Sequence, residues 1–177
     1  MSVHPVPSEF EARTNAAFDA IIWAFARPGL MQKLPEAGMS QIVEALIDRE
    51  CSVHCQDPDL AEMVRRTGAV MVSPDDADHI FVTDVPLTLL DQVRCGSDLH
   101  PDDGATLVVD ADLSAGARLR LTGPGIAGDV IVTVGGLPGD FWPRRARAMR
   151  YPMGFEVLLV DGQRLLGVPR STTVEVL

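Results

Sequence analysis

The sequence predicts an α/β fold in which a mixed β-sheet is flanked by helices. Segments with helical periodicity dominate the first part of the chain, and short β-branched segments dominate the later part. At least two connections between predicted strands are too short to hold a crossover helix, so a purely parallel sheet fits poorly. With 177 residues, 46% of them apolar, the chain can bury a substantial core, and we expect residues 1–177 to form one domain.

Three helices are predicted before the central strands. The first begins at a capping box formed by Ser8 and Glu11 and ends near residue 26, because Pro28 restricts the residue before it. The second covers about residues 41–48. The third begins after Asp57, since aspartate caps a helix and the proline that follows fits its first turn.

The predicted strands are short and apolar. In chain order they cover residues 30–34, 51–55, 69–72, 80–83, 106–109, 119–122, 130–134, 155–160, 165–168 and 172–176. A turn at Asp161 and Gly162 joins two of them into a hairpin. A short helix is predicted at residues 87–93, and a longer one runs from a cap at Asp140 to about Tyr151.

The charge balance argues against sequence-independent binding of nucleic acids. The chain has 15 basic and 25 acidic residues, which gives a net charge of −10. Its apolar runs are only a few residues long, whereas a membrane helix needs about 20. Residues 1–5 lack the pattern of an export signal. We therefore expect a cytoplasmic protein with no nucleic-acid partner and no membrane span.

The cysteines and acidic segments do not form a strong metal-binding pattern. Cys51 and Cys55 lie four residues apart on a predicted strand, roughly 13 Å, which is too far to share one ion. With Cys95 they make an odd number, so we expect structural thiols rather than disulfides, a ligand role being the weaker alternative. The acidic segments 75–79 and 98–104 are predicted to be surface loops, and no metal site is expected.

A glycine-rich segment imitates a nucleotide-binding motif. Residues 123–128 have the GxGxxG spacing and follow a predicted strand. The dinucleotide motif must open a helix, but here a β-branched segment, residues 130–134, comes next. The sequence therefore predicts a turn between two strands.

The last predicted helix concentrates positive charge in an acidic protein. Its arginines are Arg144, Arg145, Arg147 and Arg150. Trp142, Ala146 and Met149 are predicted to form its apolar stripe, with Arg145 and Arg150 beside the stripe and the other two arginines pointing away.

Two interpretations of these arginines remain open. They could form a solvated helix face with intramolecular ion pairs, or a surface that binds an anion or docks a partner, because guanidinium groups suit phosphate and carboxylate. Arg170 could join this surface or pair with Glu175. No HExxH, GxSxG or Walker A motif is present, and no catalytic residues are predicted.

Several segments occur in an order that is typical of one family. They are residues 81–84, 104–107, 119–126, 151–156 and 164–176. Together with Phe18 and residues 27–29, this set resembles the PhnH family, a subunit of the bacterial carbon–phosphorus lyase core complex. Conservative departures occur at Tyr151, Met153, Phe155 and Glu156, where the family pattern has other residues of the same character.

The resemblance implies a role in phosphonate catabolism. With PhnG and PhnI, such a subunit takes part in forming alpha-D-ribose 1-methylphosphonate 5-triphosphate from methylphosphonate and MgATP, a substrate of the complex. PhnJ, which breaks the carbon–phosphorus bond, is a further implied partner. The resemblance also implies a subunit that is inactive alone, a homodimer in isolation, and a fold similar to pyridoxal-phosphate transferases without their cofactor site.

Two alternatives are kept. The first is a stand-alone enzyme or binding protein that holds a phosphorylated small molecule with the arginine helix. The second is a vestigial pyridoxal-phosphate protein, in which Lys33, the one lysine of the chain, would have to form the Schiff base. No glycine-rich phosphate cup adjoins Lys33, so we expect no cofactor bound by this chain.

Overall fold

A seven-stranded mixed sheet forms the centre of the structure. The computed structural model describes residues 6–177, with Leu87 described by its backbone alone. The strands, in spatial order, are β1 (Gln32–Lys33), β9 (Arg164–Val168), β8 (Glu156–Asp161), β5 (Thr106–Asp110), β4 (His79–Val82), β2 (Ser52–Cys55) and β3 (Val70–Met71). The five strands from β8 to β3 are parallel, β9 is antiparallel to β8, and β1 is antiparallel to β9. The predicted mixed sheet is confirmed.

A second sheet was not predicted. It is antiparallel and has three strands, in the order β10 (Thr173–Val176), β6 (Asp112–Thr122) and β7 (Val130–Gly135). β6 begins seven residues earlier than the predicted strand, which was placed at 119–122, and its register with β7 shifts between Asp112 and Ala117. The glycine-rich segment joins β6 to β7 without a helix, so the predicted turn is confirmed.

Two of the helices begin at the caps that the sequence predicts. The helices are α1 (Glu9–Ala26), α2 (Ser40–Leu46), α3 (Pro58–Thr67) and α4 (Phe141–Ala148), with short 3₁₀ turns at Pro74–Asp76, Leu87–Asp91 and Pro101–Asp103. The Ser8–Glu11 capping box is present, and the Asp57 carboxylate accepts a hydrogen bond from the backbone N–H of Leu60 at 2.7 Å. These local contacts satisfy backbone donors that a helix start leaves free.

Strands β4, β5, β8 and β9 are buried on both faces, which explains why each contains a continuous apolar run. Alternate residues of a strand face opposite layers. Phe81 and Val108 pack with residues of α1, α2 and α3. Their neighbours Ile80 and Leu107 pack on the other side, with residues of the second sheet and α4. α4 and the second sheet therefore share one layer.

Further expectations concern the cysteines, metal binding, membrane spans and an export signal. The three cysteines are free and half-buried, and burial raises the pKa of each thiol. Within residues 6–177, no three His, Cys, Asp or Glu side chains come close enough to hold a metal ion. Over the same range, no helix combines the length and the hydropathy that a bilayer span requires. The expectation about an export signal concerns residues 1–5, which lie outside the described range.

Candidate functional site

Helix α4 separates two cavities. One side of the helix contacts the Leu87–Asp91 turn, and the other contacts β10. Phe141 and Trp142 anchor it in the core, with their rings edge to face and centroids 4.9 Å apart. Because its first turn is fixed in this way, the arginines that follow are directed to different sides.

The first cavity, which we call the Arg145 cavity, lies between α4 and β10 and has a volume of about 300 Å³. It is lined by Trp142, Arg145, Ala146, Met149, Tyr151, Arg170, Ser171, Thr172, Thr173 and Val174. The second, the Arg144 cavity, lies beside the Leu87–Asp91 turn and has a volume of about 270 Å³. It is lined by Leu90, Asp91, Val93, Cys95, Arg144, Arg147 and Ala148.

Arg145 is buried, which corrects the predicted helix face. Only 2% of the residue is exposed, whereas Ala146, placed in the apolar stripe from the sequence, is exposed. The Arg145 guanidinium donates to the backbone carbonyls of Thr172 at 3.2 Å, Val168 at 3.4 Å and Pro169 at 2.8 Å. These bonds hold the loop between β9 and β10 against α4.

Burial lowers the pKa of Arg145 to about 10. The side chain therefore stays positively charged at neutral pH. Among the described residues it makes no ion pair with a carboxylate within 4.0 Å. The Glu156 carboxylate stabilises this buried charge without an ion-pair contact, and the three carbonyls supply its hydrogen bonds.

The other helix arginines are placed differently. Arg144 pairs with Asp140 at 2.8 Å and with Asp91 at 3.1 Å. The Asp140 side chain makes this ion pair instead of the predicted helix cap, and α4 ends at Ala148 rather than near residue 151. Arg147 and Arg150 are exposed, and no ion pair within residues 6–177 involves either of them.

Arg170 is part of an internal ion pair. Its Nε and its backbone N–H donate to the two carboxylate oxygens of Glu156, and its Nη1 donates to the carbonyl of Pro101. The predicted alternative, a pair with Glu175, is wrong because Glu175 pairs with Arg120 at 2.8 Å. Arg170 lines the Arg145 cavity, but the five predicted arginines do not converge on one point.

The structure contains a polar cluster that the sequence did not indicate. His79, Thr106 and Glu156 lie side by side at the first positions of β4, β5 and β8. They line a third cavity of about 320 Å³. Asp78, in a segment predicted to be a solvated loop, accepts hydrogen bonds from the Ser52 backbone N–H at 2.8 Å and hydroxyl at 2.7 Å.

His79 is expected to make the stability of the protein depend on pH. Burial lowers its pKa below the ordinary 6.5, although the Asp78 carboxylate opposes this shift. The unfolded chain then binds the proton more readily than the folded chain, so stability falls as pH decreases below about 6.5. In urea unfolding at several pH values, His79→Gln should remove a slope of at most about 1.4 kcal/mol per pH unit.

The control for this measurement is His100→Gln, which changes an exposed histidine. It should keep the pH dependence of the wild-type protein. If His79→Gln also keeps it, the buried imidazole does not set the slope.

These features define an α/β protein with a mixed sheet and arginine-lined cavities on either side of a short helix. The sequence model of a family described as "Bacterial phosphonate metabolism protein (PhnH)" matches residues 8–175. The chain belongs to this PhnH family, as the ordered segments predicted.

Two relatives cover almost the whole chain. It is 30% identical over 170 residues to the "Putative C-P lyase subunit protein HtxG" of Stutzerimonas stutzeri, covering 92% of this chain and 86% of the relative. It is 28% identical over 187 residues to the "Alpha-D-ribose 1-methylphosphonate 5-triphosphate synthase subunit PhnH" of Rhizobium meliloti (strain 1021). This second match covers 94% of this chain and 91% of the relative.

Proposed function

We propose that this protein is a non-catalytic subunit of the carbon–phosphorus lyase core complex. With PhnG and PhnI it takes part in forming alpha-D-ribose 1-methylphosphonate 5-triphosphate from MgATP and methylphosphonate, and PhnJ is a further partner. The observation that carries this proposal is the family match over residues 8–175, together with the names of the two relatives that cover the chain.

The placement of the arginines supports a non-catalytic role. Transfer chemistry on a triphosphate needs cations that are directed at the phosphates. Arg144 is engaged by two aspartates, Arg145 by three carbonyls and Arg170 by Glu156. We therefore assign the triphosphate site to other subunits. The divergent arginines do not favour the alternative of an arginine helix that clamps a phosphorylated substrate by itself.

Arg147 and Arg150 are the helix arginines that we assign to partner docking. Arg147 is exposed in the last turn of α4 and Arg150 is exposed just beyond it, and neither is neutralised by an ion pair within residues 6–177. In a chain with a net charge of −10, a local positive site attracts an acidic surface of a partner, whereas the rest of this protein's own surface repels it. The proposed occupant is an acidic patch of a neighbouring subunit.

Reversal of these two charges should weaken assembly. In co-purification of the tagged protein with PhnG, PhnI and PhnJ, the double variant Arg147→Glu, Arg150→Glu should recover much less of the partners than the wild-type protein. Charges at the solvent-accessible edge of an interface act mainly on the association rate and its salt dependence. The difference in recovered partners between the variant and the wild-type protein should therefore be largest at low salt.

The matched control reverses Arg65 and Arg66, two exposed arginines of α3. It should assemble normally. Full assembly of the α4 double variant would remove the docking assignment, and a wild-type protein that recovers none of the partners would contradict the role as a subunit.

The proposal also includes a cytoplasmic location and a homodimer in isolation. Phe18, Ile22 and Trp23 on α1 are between 46% and 49% exposed, and such aromatic and aliphatic groups are typical of the centre of an interface. The proposed similarity to pyridoxal-phosphate transferases is limited to the fold. Lys33 lies exposed on the edge strand β1, where a Schiff base would be open to water.

A further inference from the structure

A further cavity lies at the carboxyl ends of the parallel strands, and we call it the carboxyl-edge cavity. Its volume is about 230 Å³. It is lined by Gly38, Met39, Asp57, Leu60, Thr83, Asp110, Val160 and Gly162. None of these residues lines the Arg145 cavity, the Arg144 cavity or the third cavity at the other end of the strands. The function proposed above therefore uses none of these side chains.

The cavity lies where the chain leaves two neighbouring strands toward opposite faces of the sheet. After β2 the chain continues into α3, whose Leu60 and Val64 pack with residues of α1 and α2. After β4 it continues into the Leu87–Asp91 turn, whose Leu89 and Leu90 pack on the other face. In open α/β sheets, ligands bind in the crevice that this divergence opens at the carboxyl ends of the strands. The position of the cavity therefore favours a ligand site.

The ends of three strands form the floor of the cavity. Asp110 of β5 lies in register with Val160 of β8, and the pairing of β4 with β5 places Thr83, the residue after β4, beside Asp110. Alternate residues of a strand share a face, so Asp110 and Val160 lie on the same side of the sheet as Val108 and Leu158. Because that side is covered by α1, α2 and α3, the floor faces the helices.

The beginnings of two helices form the walls. Met39 precedes α2 and Leu60 lies in the first turn of α3, and both are apolar. The backbone N–H of Gly38 donates to the carbonyl of Gly162 at 2.9 Å, which ties the α2 wall to the turn between β8 and β9. The volume is below the range of about 300–1,000 Å³ that is typical of drug-sized ligands, so a smaller molecule fits.

The charge of the cavity favours a cation. Two carboxylates line it, and of the described residues no arginine or lysine does. Asp110 is exposed and makes no ion pair within residues 6–177. Asp57 accepts from the Leu60 backbone N–H through Oδ1 alone. The net charge of −10 also favours the approach of cations and disfavours that of anions.

The apolar walls favour an organic cation over a metal ion. Across the described range, no three side chains of the types that bind metals come together, so a metal ion would lack ligands here. A bare ammonium ion would leave Met39 and Leu60 without a partner. A molecule that combines one ammonium group with a compact hydrocarbon matches both the floor and the walls.

We propose that the carboxyl-edge cavity binds a small organic ammonium ion with a compact hydrocarbon substituent. The ammonium group donates to the carboxylate of Asp110 and to the hydroxyl of Thr83. The hydrocarbon contacts Met39 and Leu60. This binding is a property of the isolated chain, and it depends neither on the α4 arginines nor on assembly with other subunits.

The test is calorimetric titration of the purified full-length protein with cyclohexylammonium at neutral pH. Cyclohexanol and cyclohexanecarboxylate carry the same ring with a neutral and a negative group, and ammonium chloride carries the charge without the ring. All four are titrated at matched ionic strength. We expect saturable binding of cyclohexylammonium, weaker binding of cyclohexanol and of ammonium, and none of cyclohexanecarboxylate.

Asp110→Asn locates the site. It keeps the size of the side chain and removes the charge, and because Asp110 is exposed the fold should be retained. Loss of a hydrogen bond to a charged group should weaken the binding of cyclohexylammonium about tenfold. Asp84→Asn is the matched control, since Asp84 is exposed and does not line the cavity. The affinity of this control should stay within about twofold of the wild-type value, because salt screens distant surface charges.

Thr83→Val removes the second proposed acceptor. Loss of this neutral acceptor should weaken the binding of cyclohexylammonium about threefold. The proposal is overturned if cyclohexylammonium does not bind saturably, or if cyclohexanol, ammonium or cyclohexanecarboxylate binds as tightly. It is also overturned if Asp110→Asn leaves the affinity unchanged or if Asp84→Asn weakens binding as much as Asp110→Asn does.

Discussion

Arg145→Ala should destabilise the protein by about 3 kcal/mol. The substitution removes the donors for the carbonyls of Val168, Pro169 and Thr172, which then lie in a poorly solvated region without a partner. It also removes an arginine stem that fills space between α4 and the loop before β10. Relief of the buried charge offsets part of this loss, because removing a guanidinium from water is costly even though the Glu156 carboxylate stabilises its charge.

The matched control is Arg147→Ala, two residues along the same helix. Arg147 is exposed, so the control should change the free energy of unfolding by less than about 0.5 kcal/mol. Urea unfolding of both variants measures the difference. Equal stabilities would mean that the three carbonyl bonds contribute little to the fold.

The contrast between these two arginines shows what the sequence could predict. The sequence predicts an apolar stripe of α4 through Ala146 with Arg145 beside it, because arginine is typically a surface residue. The acceptors of Arg145 lie more than twenty residues later, in a loop whose position depends on how β10 pairs with β6. A helical wheel contains no information about such distant acceptors.

Features with local causes were predicted well. The capping box at Ser8 and the cap at Asp57 set the starts of α1 and α3, because each involves atoms within a few residues. The hairpin of β8 and β9 was also predicted, since its turn follows directly from Asp161 and Gly162. Boundaries of these elements agree with the structure to within a few residues.

Features set by pairing across the chain were missed. The second sheet joins residues about fifty apart, such as Leu121 of β6 and Val174 of β10, and nothing local specifies that register. The row of His79, Thr106 and Glu156 depends in the same way on the register of three parallel strands. For that reason the third cavity could not be predicted from spacing along the sequence.

A glycine in β9 is the position where the smallest substitution should have a large effect. Gly167 faces α1, and a Cβ at this position would lie 2.5 Å from the carbonyl oxygen of Ala24. This oxygen belongs to the helix backbone, so it cannot move aside as a flexible side chain would. Ala24 is itself fully buried, and the helix and the strand are in contact at this point.

Gly167→Ala should therefore destabilise the protein by about 3 kcal/mol, although alanine is ordinarily the better strand residue. The added methyl group must push α1 away from β9, which opens the core between them. Gly139→Ala is the control, because a Cβ there meets no atom within 4 Å, and its effect should stay below about 0.5 kcal/mol. If both variants unfold at the wild-type urea concentration, α1 does not approach β9 as closely as described. A loss confined to Gly167→Ala would show that the absence of a side chain at this position permits the helix to pack on the sheet.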